Sequence, residues 1–579
     1  MNFDDWNLTK KDSLYLMFVF LFSIGLMYIK TRYVMSGGLI YPDKAHYLMN
    51  ALLYSGLDYY NIVNHYDLFL SPVIAFLTSI LFRLGIVNQL AISLVSSFFA
   101  LFGFLGLYIL LRYRFNSLLS LTGVIIYGSL SELLINLSTG LLDVPAISIS
   151  ILILLFGIMA IDKNSKYFII AFPLFILGFF TRYTVIFMLP TLFLYYVIKR
   201  DFLENLEDVL YNKSELFVKV KNYLTSKEFK HILLSLILGA ILTVLICKFL
   251  IFDFGSSLIF LDRFHNSATN IGYGKAGIDV IYDKLFYVIN FSQILFRDYR
   301  RLDGTLNFVL YFIIGCGCLF KLVNVFKNRK YYFKSENTYF KHNAYKNLLK
   351  NFSLVILMIF AFFAFKVLSI HLITNICFLV SCAIFYSLIR EFKFDDDKMA
   401  LNILFFAYFV INLIFIAILP TKTLRYSLPL LPPLIYFIIY GLEEILDILT
   451  NLSIFKNKSY RKSLISKIII VFLISLFMIS AFSFSSHMKI QECHNDLVDV
   501  TDYIIENDGD YHNESFGSNN RDYRIIKWYL KDNVTFDDNY TAFDSSNISY
   551  VISNSTVELE NYTELYNKGM YHVYYRNQY

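Results

Sequence analysis

Long apolar runs broken by short polar clusters dominate the chain, and their spacing sets the first expectation. A helix needs about 20 mostly apolar residues to cross a bilayer core of roughly 30 Å. Runs of that kind occur near 13–30, 69–86, 90–111, 117–137, 144–162, 167–181, 184–198, 231–251, 305–322, 351–369, 372–391, 399–419, 429–447 and 467–485. Between them lie basic clusters: Lys10 with Lys11, Arg112 with Arg114, Lys163 with Lys166, Lys199 with Arg200, and the stretches 213–230, 321–350 and 456–467. Basic residues mark cytoplasmic ends, so these clusters should share one side. They cannot if all fourteen runs cross. Three runs separate the loop holding Asp43 from the loop holding Asp143, and an odd number of crossings would put the two acids on opposite faces. The run 69–86 suits a helix in the interface best, because it is short, has Pro72 near its start and carries Arg83. Thirteen crossings remain, which makes residues 1–486 an all-α polytopic domain with outward loops at 31–89 and 252–304. The first run, Ser13 to Tyr28, lacks a small-residue cleavage site and reads as a retained helix.

Past residue 486 the pattern changes. Residues 487–579 are polar and acidic, with strand-like pieces "YVIS" and "MYHVYYR", and predict a small soluble α/β domain. Thirteen crossings place it outside the cell. Its six Asn-x-Ser/Thr sequons, at Asn513, Asn533, Asn539, Asn547, Asn554 and Asn561, are acceptor sites only on that side, although an asparagine-rich composition also makes sequons by chance.

Composition agrees with the pattern. The chain is 57% hydrophobic and 17% charged, against about 25% charged in an average soluble domain, so it is an integral membrane protein. The formal charge of +6 follows from the clusters between spans and indicates topology, with no nucleic-acid partner. Of six cysteines only Cys493 lies outside an apolar run, which allows neither a disulfide framework nor a zinc spacing. No internal repeat stands out.

Polar residues gather at four places in the outward loops. If the chain from Lys44 onward is helical, Asp43, His46 or Tyr47, and Asn50 share one face, with Ala45, Leu48 and Leu52 opposite. That is an amphipathic helix on the membrane surface with an acid at its start; the plainer reading makes Asp43 an N-cap. In "SELLINLSTGLLDVP", Glu132, Asn136 and Thr139 climb one face of a span toward Asp143, which stands before Pro145 as a site acid, a helix cap or both. In "FFTRYTVIF", Arg182 and Tyr183 interrupt an apolar hairpin on the outward side. In "PTKTLRYSLPLLPP", Lys422, Arg425 and Tyr426 fall at i, i+3 and i+4. Cations there suit a phosphate clamp, or else snorkelling toward headgroups. The loop 252–304 adds Arg263, His265, Arg297, Arg300 and Arg301 and is long enough for a lid or substrate loop.

An acid just after the first span, a second acid about a hundred residues later before a proline, "FFTRYT" and "TKTLRYSLPLLP" in series resemble the GT-C glycosyltransferases. The likeness spans roughly residues 10–447 and is greatest to the branch of protein O-mannosyltransferases and aminoarabinose transferases of lipid A. The resemblance implies a GT-C fold and a multi-pass enzyme of the cell membrane. Its donor would be a polyprenyl (dolichyl) phosphate sugar, and transfer would occur on the extracytoplasmic face. It implies Asp43 as catalytic base, Asp143 as second acid, and Arg182, Lys422 and Arg425 as donor-phosphate contacts. His46, Tyr47, Asn50, Tyr183, His265 and Tyr426 are further substrate-binding candidates.

Two features depart from the family pattern. Lys44 follows Asp43 where many relatives pair two acids, which argues against a divalent cation, and no other cofactor is implied. The lysine-proline-proline element after that loop stands here as "LFLSPV", with Ser71 and Pro72. The oligosaccharyltransferase branch is disfavoured, since a Trp-Trp-Asp motif cannot exist in a chain whose only tryptophans are Trp6 and Trp528. The chemistry fits these residue types. A lipid phosphate is already a good leaving group, so one inverting step needs a carboxylate for the acceptor's proton and cations for the departing phosphate. The alternatives are a lipid-linked glycan ligase or polymerase, and a lipid-sugar transporter or flippase, which should show inverted repeats and broken helices.

Overall fold

The computed structural model describes residues 8–37, 39, 41–57, 72–200, 222–254, 283–297, 301–327, 339–368, 370–390, 395–419, 422–451, 459–487, 492–519, 522–537 and 539–577. Ten of its helices are long and apolar enough to cross a membrane. They are α1 (Lys10–Met35), α4 (Gln89–Arg112), α7 (Asp143–Asp162), α10 (Lys227–Leu250), α11 (Arg301–Lys327), α12 (Tyr339–Phe363), α13 (His371–Ile389), α14 (Asp396–Ile418), α15 (Leu431–Asn451) and α16 (Ser459–His487). Four shorter apolar helices accompany them: α3 (Pro72–Arg83), α5 (Ser117–Ser129), α8 (Phe168–Thr181) and α9 (Met188–Lys199). This is a multi-pass membrane protein. Large apolar side chains such as Val244, Ile359 and Phe472 are exposed around the bundle, as a lipid-facing surface requires.

Local chemistry sets the helix ends. Asn116 accepts the backbone N–H groups of Leu118 and Leu119 at the start of α5, Ser226 accepts that of Phe229 at α10, and Thr9 and Asp12 close a capping box at α1. Inside the bundle, small residues let helices approach. A Cβ on Gly317 of α11 would overlap the backbone of Gly441 on α15, the close contact that apolar helices use when packing is their main attraction.

Ion pairs fix which helix ends lie together. Arg112 at the end of α4 bonds Asp12 at the start of α1 at 2.7 Å. Lys199 at the end of α9 reaches Asp162, ending α7, at 3.3 Å and Asp397, starting α14, at 2.5 Å. Arg200 pairs with Glu228 of α10 at 2.8 Å, and Lys321 of α11 with Glu444 of α15 at 2.7 Å. Among the described residues the basic clusters therefore share one end of the bundle, as their sequence spacing predicts. The starts of α7 and α15, and the junctions α8/α9 and α14/α15, lie at the other end.

Two elements at that other end are not spans. The run 69–86 folds over its described part as α3, whose 12 residues reach about 18 Å at 1.5 Å per residue. Helix α2 (Pro42–Ser55) packs against α3, and its C-terminus closes on Gly56 at φ 77, a left-handed turn that suits glycine. The predicted span 117–137 is also not one straight helix: Leu130 is extended, and a short α6 (Ser131–Asn136) follows it. Thr139 lies beyond that helix, so Glu132, Asn136 and Thr139 do not continue along one face as expected.

The C-terminal domain has α17 (Glu492–Asn507), α18 (Tyr523–Leu530) and a five-stranded sheet in the order β2-β1-β3-β5-β4. Strand β1 (Phe516–Ser518) runs parallel to β2 (Val534–Phe536) and β3 (Tyr550–Ser553), whereas β5 (Tyr571–Arg576) is antiparallel to β3 and β4 (Tyr562–Lys568). Both strand-like pieces seen in the sequence are strands.

Candidate active site

Helix α2 presents Asp43 to the site because it starts one residue earlier, with Tyr41 as N-cap and Pro42 in the first turn. Proline fits there, since it lacks only an N–H that has no helical partner anyway. Asp43 is thus a first-turn residue and not the N-cap, where the helix dipole favours its negative charge. Its Oδ2 accepts a hydrogen bond from Arg425 Nη2 at 2.8 Å, and the side chain is 38% exposed. Arg425 comes from the 3-10 turn Leu424–Leu430 that joins α14 to α15.

A second pair lies beside the first. Asp143 opens α7, and Leu142 is the N-cap, so the carboxylate is not used as a cap. It pairs with Arg182 at 2.7 Å and is 4% exposed. Arg182 points inward because the chain is extended there, φ -159 and ψ 121, between α8 and α9. Tyr426 lies between the two arginines, with guanidinium-to-ring distances of 5.4 Å for Arg182 and 5.5 Å for Arg425. Tyr47 is within electrostatic reach of Asp43, Arg425, Arg182 and Asp143 together, and burial pushes its hydroxyl well above the usual range. A third pair, Glu132 with Arg297, borders the same region: Tyr41 responds to Arg425, Glu132, Arg297 and Asp143. A small pocket opens beside Asp143 and Arg182 between α7, α9 and α14, lined further by Ser150, Met188, Tyr408 and Asn412.

Burial alone would raise the Asp43 pKa, but Arg425, Arg524 and His46 outweigh it, and the carboxyl lies below its ordinary range. Asp43 is a carboxylate at neutral pH.

A family model for dolichyl-phosphate-mannose-protein mannosyltransferases matches residues 70–210, a stretch that holds Asp143 and Arg182 but neither Asp43 nor Arg425. No curated protein matches the chain in sequence. Among solved structures, ArnT from Cupriavidus metallidurans bound to undecaprenyl phosphate aligns over 96% of this chain and 97% of its own, with TM-score 0.52 and 9% identity. The same protein in the apo state aligns over the same shares with TM-score 0.53 and 9% identity. The chain has an ArnT-like GT-C fold. The resemblance drawn from four loose motifs is borne out at the level of the fold.

Within this ArnT-like fold most expected site residues come together: Asp43, Asp143, Arg182, Arg425, Tyr426 and Tyr47. Lys422 is placed differently. It is 8% exposed and its ammonium donates to the carbonyls of Ile416, Ala417 and Leu419 at 3.0, 2.6 and 2.5 Å, and burial pushes its pKa down to about 8. Those carbonyls belong to the last turn and C-cap of α14, so Lys422 closes a helix end. His46 and Asn50 are buried on α2, and neither amide atom of Asn50 has a hydrogen-bond partner. Tyr183 opens the 3-10 turn ahead of α9 and packs against the apolar cluster that holds Leu48, Ile74 and Phe180. His265, with Arg263 and Arg300, lies outside the described residues. Among the described residues no three His, Cys, Asp or Glu side chains group into a metal site. Tyr41, and Arg297 as the partner of Glu132, were not legible as members of one site. The only signal for Arg297 was an outward loop rich in arginine.

Proposed function

We propose that the chain is a glycosyltransferase that moves a sugar from a polyprenyl-phosphate donor to an acceptor hydroxyl on the extracytoplasmic face, in one inverting step. The observation that carries this reading is the convergence of two acid–arginine pairs on Tyr426 and Tyr47 at the bundle end opposite the basic clusters, beside a small pocket between helices. The positive-inside rule assigns the basic end to the cytoplasm and so the site to the outer face. Ten long spans, with α5/α6, α8 and α9 added and α3 kept at the interface, give thirteen crossings and agree with that assignment. That ArnT has been seen with undecaprenyl phosphate bound supports the choice of carrier.

In the step itself, Asp43 takes the proton of the acceptor hydroxyl as its oxygen attacks the anomeric carbon. The bond from that carbon to the phosphate oxygen breaks, and the electron pair leaves on the phosphate. Arg182 and Arg425 hold the charge that develops there. Asp143 holds Arg182 in place. Mannose as the sugar, and a protein as the acceptor, are the finer readings that the matched family model favours.

Purified protein in detergent, incubated with a panel of polyprenyl-phosphate monosaccharides, should release free polyprenyl phosphate from at least one. Release from none, by protein with an intact thermal transition and across peptide, glycan and lipid acceptors, would overturn the proposal.

A further inference from the structure

The C-terminal domain is built into the neighbourhood of Asp43. Helix α18 lies directly against α2. Trp528 of α18 stacks on Phe82 of α3, with ring centroids 6.2 Å apart at 29°, and the Tyr529 hydroxyl accepts the backbone N–H of Leu39 at 2.8 Å, two residues ahead of the α2 N-cap. Leu497, Val500 and Ile504 of α17 and Ile525 of α18 join Ala45, Leu48, Leu52 and Ile74 in one buried apolar cluster. A shared core of that kind fixes the domain on the bundle far more firmly than a polar contact would.

Arg524 stands one turn before Trp528 on the docked side of α18. It is half-buried, with its Nε 3.4 Å from the Tyr523 hydroxyl. Charged and titratable groups from several elements surround Asp43. His46 and Tyr47 share its helix, Arg425 comes from the turn before α15, and Arg524 comes from α18. Arg83 of α3 is turned to the Tyr54 carbonyl at 2.7 Å, and Lys44 to Gln89 of α4 at 3.1 Å.

We propose that the C-terminal domain forms the outer wall of the site and that Arg524 is a positioning residue, the domain's counterpart of Arg425, which fixes the Asp43 carboxylate for proton removal. The proposal rests on the reading of Asp43 as base. The bundle then supplies one cation to Asp43 and the domain a second, so docking of the domain and readiness of the base are linked. An arginine suits the role because its charge persists at any working pH.

Carboxyl labelling tests this without turnover. A water-soluble carbodiimide with a glycine ester modifies protonated carboxyls, and mass spectrometry of the Asp43 peptide across pH gives a midpoint. On the full chain in detergent, Arg524→Ala should raise that midpoint by about half a pH unit or more, as expected on losing a nearby opposite charge, whereas Arg524→Lys should stay near the parent. The acid limb of kcat/KM should move with it while the donor KM holds. An unmoved midpoint in Arg524→Ala, in a protein where Arg425→Ala shifts it, would overturn the proposal. Docking is monitored by Trp528 emission in a Trp6→Phe background, those being the only two tryptophans. If Arg524→Ala shifts that emission to the red, Arg524→Met, which keeps the apolar stem, takes its place with the same two outcomes. Labelling is independent of transfer, so a chain that moved no sugar would defeat the proposed function and still give a result for Arg524.

Discussion

Asp43 and Lys44 are neighbours with opposite environments. Asp43 has an arginine partner and partial exposure; Lys44 is 2% exposed, with Gln89 Oε1 at 3.1 Å. Replacing the first by asparagine keeps shape and removes the base, so Asp43→Asn should lower transfer by about 10²–10⁴-fold with an unchanged thermal transition. Lys44 has a different consequence. Burial pushes its pKa down from 10.5 to about 7, so between those values the unfolded chain binds a proton that the folded chain refuses. Stability must therefore rise with pH from about 7 toward 10.5, by an amount on the order of a few kcal/mol. The melting temperature in detergent should climb from pH 7.5 to 9.5 in the parent and climb less in Lys44→Met, which should also melt higher at pH 7.5. Lys422 offers the converse test of a role read from sequence. As a helix-end donor to three carbonyls, its loss in Lys422→Ala should cost about 1–3 kcal/mol of stability and leave donor KM nearly unchanged in the protein that remains folded. A raised donor KM with an unchanged melting temperature would restore it to the phosphate site.

The elements that build the site are the irregular ones. Arg182 enters through the break between α8 and α9, Arg425 through a 3-10 turn, and the Arg297 backbone N–H reaches Ser131 just past the kink at Leu130. Hydropathy reads long helices well, because every residue of a span reports the same solvent. The spans and the short α3 were legible for that reason. A single extended residue such as Leu130 leaves an apolar run unbroken, so the kink that frees Ser131 and Glu132 was not. Likewise, Lys422 and Arg425 look equivalent at i and i+3. Which of them meets carbonyls and which meets Asp43 depends on where α14 stops. The break at Arg182 makes a prediction of its own. Arg182→Gln strands the buried Asp143 carboxylate and should destabilise by about 3–5 kcal/mol. Adding Asp143→Asn should recover most of the melting temperature while transfer stays low. A double variant no more stable than Arg182→Gln alone would show that the pair is not what the arginine holds together.

At the scale of the whole molecule, one sidedness ties the parts together. Single cysteines at Lys166→Cys, at the basic end, and Glu558→Cys, in the C-terminal domain, can be probed in a background freed of the six native cysteines. Both positions are exposed, and a membrane-impermeant thiol reagent on intact cells should label only the second. The reverse pattern would turn the protein over and place the acids in the cytoplasm. The pairing of both acids with both arginines bears on how such a molecule works through a cycle. Each acid already has an arginine partner, so neither Arg182 nor Arg425 presents an unshared charge to stray anions. In the proposed reaction a donor phosphate engages Arg425 by competing with Asp43, and the same displacement leaves that carboxylate to Arg524 and the acceptor. In the proposed reaction, order of addition would follow from these pairs: carrier lipid first, hydroxyl second, with spent carrier competing against fresh donor and not against acceptor.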